Sequence, residues 1–267
     1  MEFKQNVALP FLANSIGVSI EKVKELSAFE LVKVFAFRGP SNKQFFYVHK
    51  KGLGETLNSL ADSLEKKGVM FKSSTLVKSV VLVDQTFKLT TEKSTEEFDF
   101  VIFATHPDQA AELLMKDEGL AVLRNVLLQF NYTKLNAVLH KDPSFIFRDK
   151  PSFLNIQTDS VTGEFLNSTQ NLALISEQFD GIYKSWFSEK DLEYVMKNGT
   201  YLSSKSFYLP LVNEEYTDAL HDLYKNSSLF PNIFFAGSWS EGVDNQENAV
   251  KSGEKAALKC RKFFDRL

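Results

Sequence analysis

Apolar residues recur at helical spacing in segment 53–67, where Leu53, Leu57, Leu60, Ala61 and Leu64 fall at i, i+4, i+7, i+8 and i+11. That spacing predicts an amphipathic helix, and Gly68 stops it. Ahead of it, the first 37 residues read as helices. Ser27-Ala-Phe-Glu30 has the form of a capping box and precedes the apolar Leu31, Val32, Val34 and Phe35. Arg38–Lys43 is turn chemistry, and Gln44–His49 reads as a strand. Beyond Val69 the period shortens. Leu76–Val83, Thr86–Thr91 and Phe98–Thr105 read as strands, separated by Asp84-Gln85 and by the charged Glu92–Glu97. The last is a nearly continuous apolar run, which suits a strand buried on both faces of a parallel sheet.

Pro107 opens a helix to about Met115, and a second is expected over 117–128. Residues 131–210 read as sheet-rich with long loops, including Asn131–His140, Phe153–Thr158 and Asn171–Gln178. A helix at 214–225 leads to the apolar strand Pro231–Gly237. A last helix, about 245–264, carries Ala249, Gly253, Ala256, Ala257, Cys260, Phe263 and Phe264 at helical spacing. The expected fold class is α/β, with a second region interleaved rather than placed end to end.

Composition narrows the function classes. Hydrophobic residues make up 43% and charged residues 24% of the 267, which is ordinary globular composition. The net charge of −3 leaves no excess of cations to track a phosphate backbone, so nucleic acid is not an expected partner. A lone Cys260 cannot close an intrachain disulfide, which fits a reducing, cytoplasmic setting. His49, His106, His140 and His221 lack metal-ligand spacing, so no metal is expected. Neither a signal peptide nor a transmembrane segment is expected. The 25 phenylalanines against two tryptophans point first to a Phe-filled core and second to an apolar cavity for a hydrophobic ligand.

Lys51-Gly-Leu-Gly-Glu-Thr-Leu57 follows the expected strand and opens a helix, where a dinucleotide fingerprint would sit. Leu57 replaces its third glycine. The expected acid some 20 residues on is also missing, because that region reads Phe71-Lys-Ser-Ser74. A glycine-assisted helix start is the simpler reading.

Two other segments carry chemistry. In Glu97–Pro107 an apolar strand ends in small residues before a proline-started helix, and ligands in α/β folds bind at such strand ends. In Asn232-Ile-Phe-Phe-Ala-Gly-Ser-Trp239, Gly237 permits close backbone approach, and the amides near 246–250 are candidate donors. Together with Phe45-Phe-Tyr-Val-His-Lys-Lys-Gly-Leu-Gly54, Phe98–Leu114 and Tyr132-Thr-Lys-Leu-Asn-Ala-Val-Leu-His-Lys-Asp142, and with Phe235–Gly253, the chain resembles the FAD-dependent amine oxidase and phytoene-desaturase-like flavoproteins. The bacterial NAD/FAD-binding branch is the closer match.

The resemblance implies a partial FAD-binding domain over 44–108 and 226–267, interleaved with an α+β substrate-domain portion over 1–43 and 109–225. It implies FAD contacts at Val77 for adenine and at Ala104 and Thr105 for pyrophosphate. Gly237, Ser238 and Trp239 would lie beside the ribityl chain and ring, with Asn248 and Ala249 at the helix start facing the flavin. Glu241–Glu247 departs from the family's glycine-rich, histidine-containing form, which puts the flavin-edge contacts in question. His140 and His106 are the candidates for proton handling, because histidine titrates near neutrality. The family's opening GxGxxG unit is not found in this sequence. The expected reading is therefore a subunit of a split oxidoreductase, sharing FAD with a second polypeptide and removing hydride from a C–N or C–C bond of an amine or lipid-like substrate. A non-catalytic scaffold derived from the fold, or a truncated fragment, is the alternative.

Overall fold

The computed structural model describes residues 3–16, 18, 20–29, 32, 52–147, 149, 152–159 and 165–266. The turn at 38–43, the strand expected at 44–49 and the Glu30 end of the capping box lie outside the described residues. Short helices α1 (Leu9–Ile16) and α2 (Ile20–Glu25) open the chain, with Leu9, Ala13, Val18 and Val23 packed on Leu211. Helix α3 (Leu53–Glu65) follows, from Gly52 at φ +85°, a backbone angle that glycine alone takes without strain.

Strands β1 (Val77–Val83), β2 (Thr86–Thr91) and β3 (Thr95–Phe98) form an antiparallel meander. Its first turn places Asp84 and Gln85 at positive φ, which the right-handed twist of a two-residue hairpin requires. Strand β4 (Val101–Phe103) pairs in parallel with β10 (Ile233–Phe235), Val101 opposite Ile233 and Phe103 opposite Phe235. Helices α4 (Pro107–Leu113), α5 (Ala121–Leu127), α7 (Glu214–Ser227) and α8 (Gln246–Phe264) complete this region. Leu120, Leu123, Leu127, Tyr216, Leu223 and Ile233 are buried in its core together with Phe87, Phe103 and Trp239. Each such side chain contributes roughly 1.5–3 kcal/mol when removed from water.

The second region is a five-stranded antiparallel sheet in the order β6 (Leu154–Thr158), β7 (Phe165–Asn171), β8 (Tyr183–Phe187), β5 (Tyr132–His140), β9 (Tyr201–Pro210). Helix α6 (Glu189–Lys197), capped by Ser188, covers one face, where Val138, Phe145, Phe187 and Val195 pack together. The interleaved α/β architecture agrees with the sequence reading.

Two expectations change. The run Phe98–Thr105 is not one strand: Phe98 ends β3, antiparallel to β2, and β4 begins at Val101. Exposed Asp99 interrupts the ladder, and the Phe100 ring turns toward Phe263 of α8 at 5.6 Å. Nor is β4 buried on both faces, because Ile102 is 41% exposed between buried Val101 and Phe103. The sheet-rich reading of Asn171–Gln178 also shifts. Asn171 closes β7 by accepting the Ala173 amide, and short 3-10 turns follow at Leu172–Leu174 and Glu177–Phe179.

Candidate functional site

The carboxyl ends of β4 and β10 lie side by side. The Ala236 amide donates to the Phe103 carbonyl at 2.8 Å, extending the parallel ladder past its last paired residues. Beyond it the chain turns at Gly237 (φ +137°) into a 3-10 turn at Ser238–Glu241. The Trp239 indole nitrogen donates to the Thr105 carbonyl at 3.1 Å and so ties the two strand ends together. The Gly237 amide donates to Ser252 Oγ at 2.9 Å, fixing the turn to α8. Two tyrosines of α7 hold the same turn: Tyr216 donates to the Trp239 carbonyl, and Tyr224 donates to the Ser240 carbonyl at 2.7 Å. Burial and the nearby Glu241 carboxylate leave the Tyr224 phenol pushed up to about 12.

The structure thus gathers Thr105, Gly237, Ser238 and Trp239 at one rim, with exposed Ala104 beside them and Asn248 and Ala249 on the following helix turn. Val77 sits apart in the meander, opposite Thr91 and half-buried against the main core. Gly237 is needed for an internal reason as well as for any ligand. A Cβ there would stand 2.6 Å from Trp239 Nε1, and the Trp239 ring is buried edge-on against Phe130. At the start of α8 the Asn248 and Ala249 amides are already bonded, to Asn245 Oδ1 at 2.8 Å and to the Asn245 carbonyl at 3.1 Å. The open donors of that turn are the amides of Gln246 and Glu247.

Sequence reading missed Tyr132, Asp108 and Asp244. The Tyr132 hydroxyl is buried without a hydrogen-bond partner, and its ring stacks on His106 at 5.0 Å. Burial, with Asp108 and Asp244 adding negative potential, raises its phenol far above the ordinary range. Ser238 donates to Asp244. Only closure of the 238–244 turn brings these groups together, and no sequence spacing announces it.

His140 lies elsewhere, fully buried at the end of β5 between Phe145, Tyr183 and Phe187. Its Nε2 shares a 2.7 Å hydrogen bond with Ser185, and its Nδ1 accepts the Asp142 amide at 3.2 Å. Desolvation lowers its pKa to about 4, against a smaller opposing pull from Asp142. The ring is therefore neutral at physiological pH. His106 is exposed at the N-cap of α4.

The donor set at the rim fits part of a flavin nucleotide. Hydroxyls of Ser238 and Thr105, the Asp244 carboxylate, the orphaned Tyr132 hydroxyl and the Gln246 and Glu247 amides suit a polyol and the polar edge of a ring. They do not suit a pyrophosphate. Asp108, Asp244 and Glu241 face this end, and the α8 cations nearest it, Lys251 and Lys255, pair with Glu247 and Glu241. Among the described residues, no cluster of His, Cys, Asp or Glu could hold a metal ion.

Comparison with known proteins places this geometry. The chain is similar in fold to a protein of Exiguobacterium sp. 255-15 provisionally assigned as a protoporphyrinogen oxidase, with TM-score 0.59, 16% identity, and 99% of this chain and 59% of that one covered. It is also similar to an oxidoreductase from Methanosarcina mazei, at TM-score 0.58 and 10% identity, covering 97% of this chain and 65% of the other. Reduced UDP-galactopyranose mutase follows at TM-score 0.53 and 11% identity, over 88% and 59%. The chain therefore spans about three fifths of the length of the solved structures it matches. No curated protein matches it by sequence. The model of the flavin-containing amine oxidoreductases matches residues 2–185, more than half of the sequence, and the chain belongs to that family.

Proposed function

We propose that this chain forms the ribityl-and-ring side of an FAD site and the substrate region of an oxidoreductase, completed by a dinucleotide-binding unit outside these 267 residues. The observation that carries this is α3. Its leucines make an apolar face, yet none of its 13 residues is buried, and Leu53, Leu57 and Leu60 are 41–54% exposed. Ile102 on β4 is open in the same way. Uncovered apolar faces of this kind mark interaction surfaces. A covering unit that meets them would bury at least the ~1,200–2,000 Å² of a specific interface. It would also supply the glycine-rich turn and helix dipole for the pyrophosphate that the acidic rim here does not provide.

Bound FAD would supply the hydride-accepting chemistry, for a C–N or C–C bond of an amine or lipid-like substrate. The chain's own contribution is to hold and orient. Ser238 and Asp244 would take polyol hydroxyls, Tyr132 would donate its otherwise unmet proton, and Trp239 keeps the two strand ends at fixed separation. His106 is the proton-handling candidate that the geometry leaves accessible.

The isolated chain is expected to bind FAD no tighter than micromolar by calorimetry, and a submicromolar affinity would contradict the reading. Coexpression with a polypeptide carrying GxGxxG and its acid should yield a stoichiometric, flavin-coloured complex. A longer form of this chain bearing that unit itself should hold flavin alone. A colourless product in both cases would favour a non-catalytic scaffold.

A further inference from the structure

A hollow of about 300 Å³ opens between the last turns of α7 and α8 and the start of β10. The rim follows the carboxyl end of β10, whereas Pro231, ahead of that strand, and Phe234 line the hollow. Along α8, fourteen residues separate Asn248 at the rim from Lys262 in the hollow, about 21 Å at ~1.5 Å per residue. The two places lie at opposite ends of one helix.

The hollow is positively charged in a chain of net charge −3. Lys259, Lys262 and Arg266 line it at i, i+3 and i+7, and no Asp or Glu is among its described lining residues. The three cations are not equivalent. The half-buried Lys259 ammonium donates to the carbonyls of Ile233 at 2.8 Å, Ser227 at 3.3 Å and Phe230 at 3.5 Å. It thereby offsets the partial negative charge at the carboxyl end of α7, which would otherwise repel an anion. Lys262 and Arg266 are exposed, and their side chains have no hydrogen bond or ion pair among the described residues. Neighbouring Arg261, by contrast, pairs with Asp265 at 3.6 Å. Cations at the end of α8 complement its dipole, but that effect requires no hollow between them and α7. The other walls are flat and apolar: the Phe234, Phe263 and Tyr224 rings and Pro231.

We propose that this hollow binds a small aromatic phosphate monoester. Such an ester carries close to two negative charges at neutral pH, which matches the two unpaired cations. Its phosphoryl oxygens lie between Lys262 and Arg266, and its ring lies against Phe234, Phe263 and Pro231. The volume is at the lower end for ligand sites, which limits the ester to about two fused rings. The site needs no flavin and does not rest on the cofactor reading.

Titration of 1-naphthyl phosphate into the full 267-residue chain, followed by calorimetry, tests this. Binding is expected at about 1 mM or tighter. Lys262→Gln and Arg266→Gln should each weaken it at least about threefold, and the double variant roughly tenfold or more. Arg261→Gln removes the same charge outside the lining and should leave binding within about twofold. Inorganic phosphate and 1-naphthol should each bind roughly tenfold more weakly than the ester. All three substitutions fall at exposed positions, so urea midpoints close to that of the unmodified chain are expected and show that folding is intact. The proposal is overturned if Arg261→Gln weakens binding as much as Lys262→Gln, or if either naphthol or inorganic phosphate matches the ester. A phosphotyrosine peptide binding roughly tenfold tighter than the ester would assign the hollow to a protein partner and overturn the small-molecule reading. These measurements are made without flavin, so failure here is distinguishable from failure of the cofactor reading.

Discussion

The two regions of this molecule meet the same sheet-building problem differently. In the five-stranded sheet, β5 is paired along its length to β9 and over Asn136–His140 to β8. Its α6-covered face holds a connected polar layer in which His140, Ser185 and Thr169 bond one another. That face is covered within the chain. The β4–β10 pair is only two strands of three residues, and the helix that precedes the meander buries nothing. Short parallel pairs are stable chiefly when both faces are covered. Here the core of α4, α5 and α7 covers one face and leaves Ile102 open on the other. One region is thus covered by its own helix, while the other keeps apolar side chains exposed on α3 and β4.

Substitutions can break this contrast. The largest expected effect lies in the closed region. Phe187→Ala removes a ring 3% exposed that packs on Phe145 at 4.6 Å and should cost about 3–5 kcal/mol in urea unfolding. A loss below about 1 kcal/mol would show that the sheet is not a tight core. Next comes the turn that joins the two strand ends. Gly237→Ala places a methyl group 2.6 Å from Trp239 Nε1 at a positive φ, so a loss of at least about 2 kcal/mol is expected from the same assay. Flavin retention in any Gly237 variant should therefore be read beside its folding signal, because the indole as well as a ligand depends on the missing Cβ.

His140 gives a pH signature of the closed region. In the folded chain it stays neutral until about pH 4, whereas unfolded histidine takes up a proton near pH 6.5. Its contribution is therefore present above pH 6.5 and lost as pH falls toward 4. On the order of 1–3 kcal/mol should disappear across that window. Denaturation midpoints measured between pH 7 and 4 should flatten in His140→Gln; an unchanged slope would place the titrating group elsewhere. The smallest effect on stability belongs to α3. Leu57→Glu should shift unfolding of the isolated chain by no more than about 0.5 kcal/mol, since the side chain is 54% exposed. It should nevertheless weaken assembly with a dinucleotide-binding unit at least roughly tenfold, the equivalent of about 1.4 kcal/mol. Assembly unaffected by Leu57→Glu would remove α3 from the interface.

Much of this was legible in the residues. The leucine spacing of α3, the Asp84-Gln85 turn, the proline start of α4 and the apolar strand at Ile233–Phe235 all follow from local periodicity and turn chemistry. The rim residues Thr105, Gly237, Ser238 and Trp239 are those the family resemblance implies, and Gly237 is also a local strand-end signal. The break at Asp99 was not, since an apolar run reads alike whether it makes one strand or two. Tyr132 and Asp244 stayed hidden because they come from elements far apart in the chain.

The sequence by itself determined the α/β class, the family and the lack of a complete glycine-rich cradle, since each rests on period, punctuation or motif along the chain. Only the tertiary structure decided which faces are covered, that Gly237 accommodates the Trp239 indole, and that His140 is sealed among aromatic rings. Burial and pairing depend on what residues distant in the chain bring to the same place, and a linear pattern does not carry that distance.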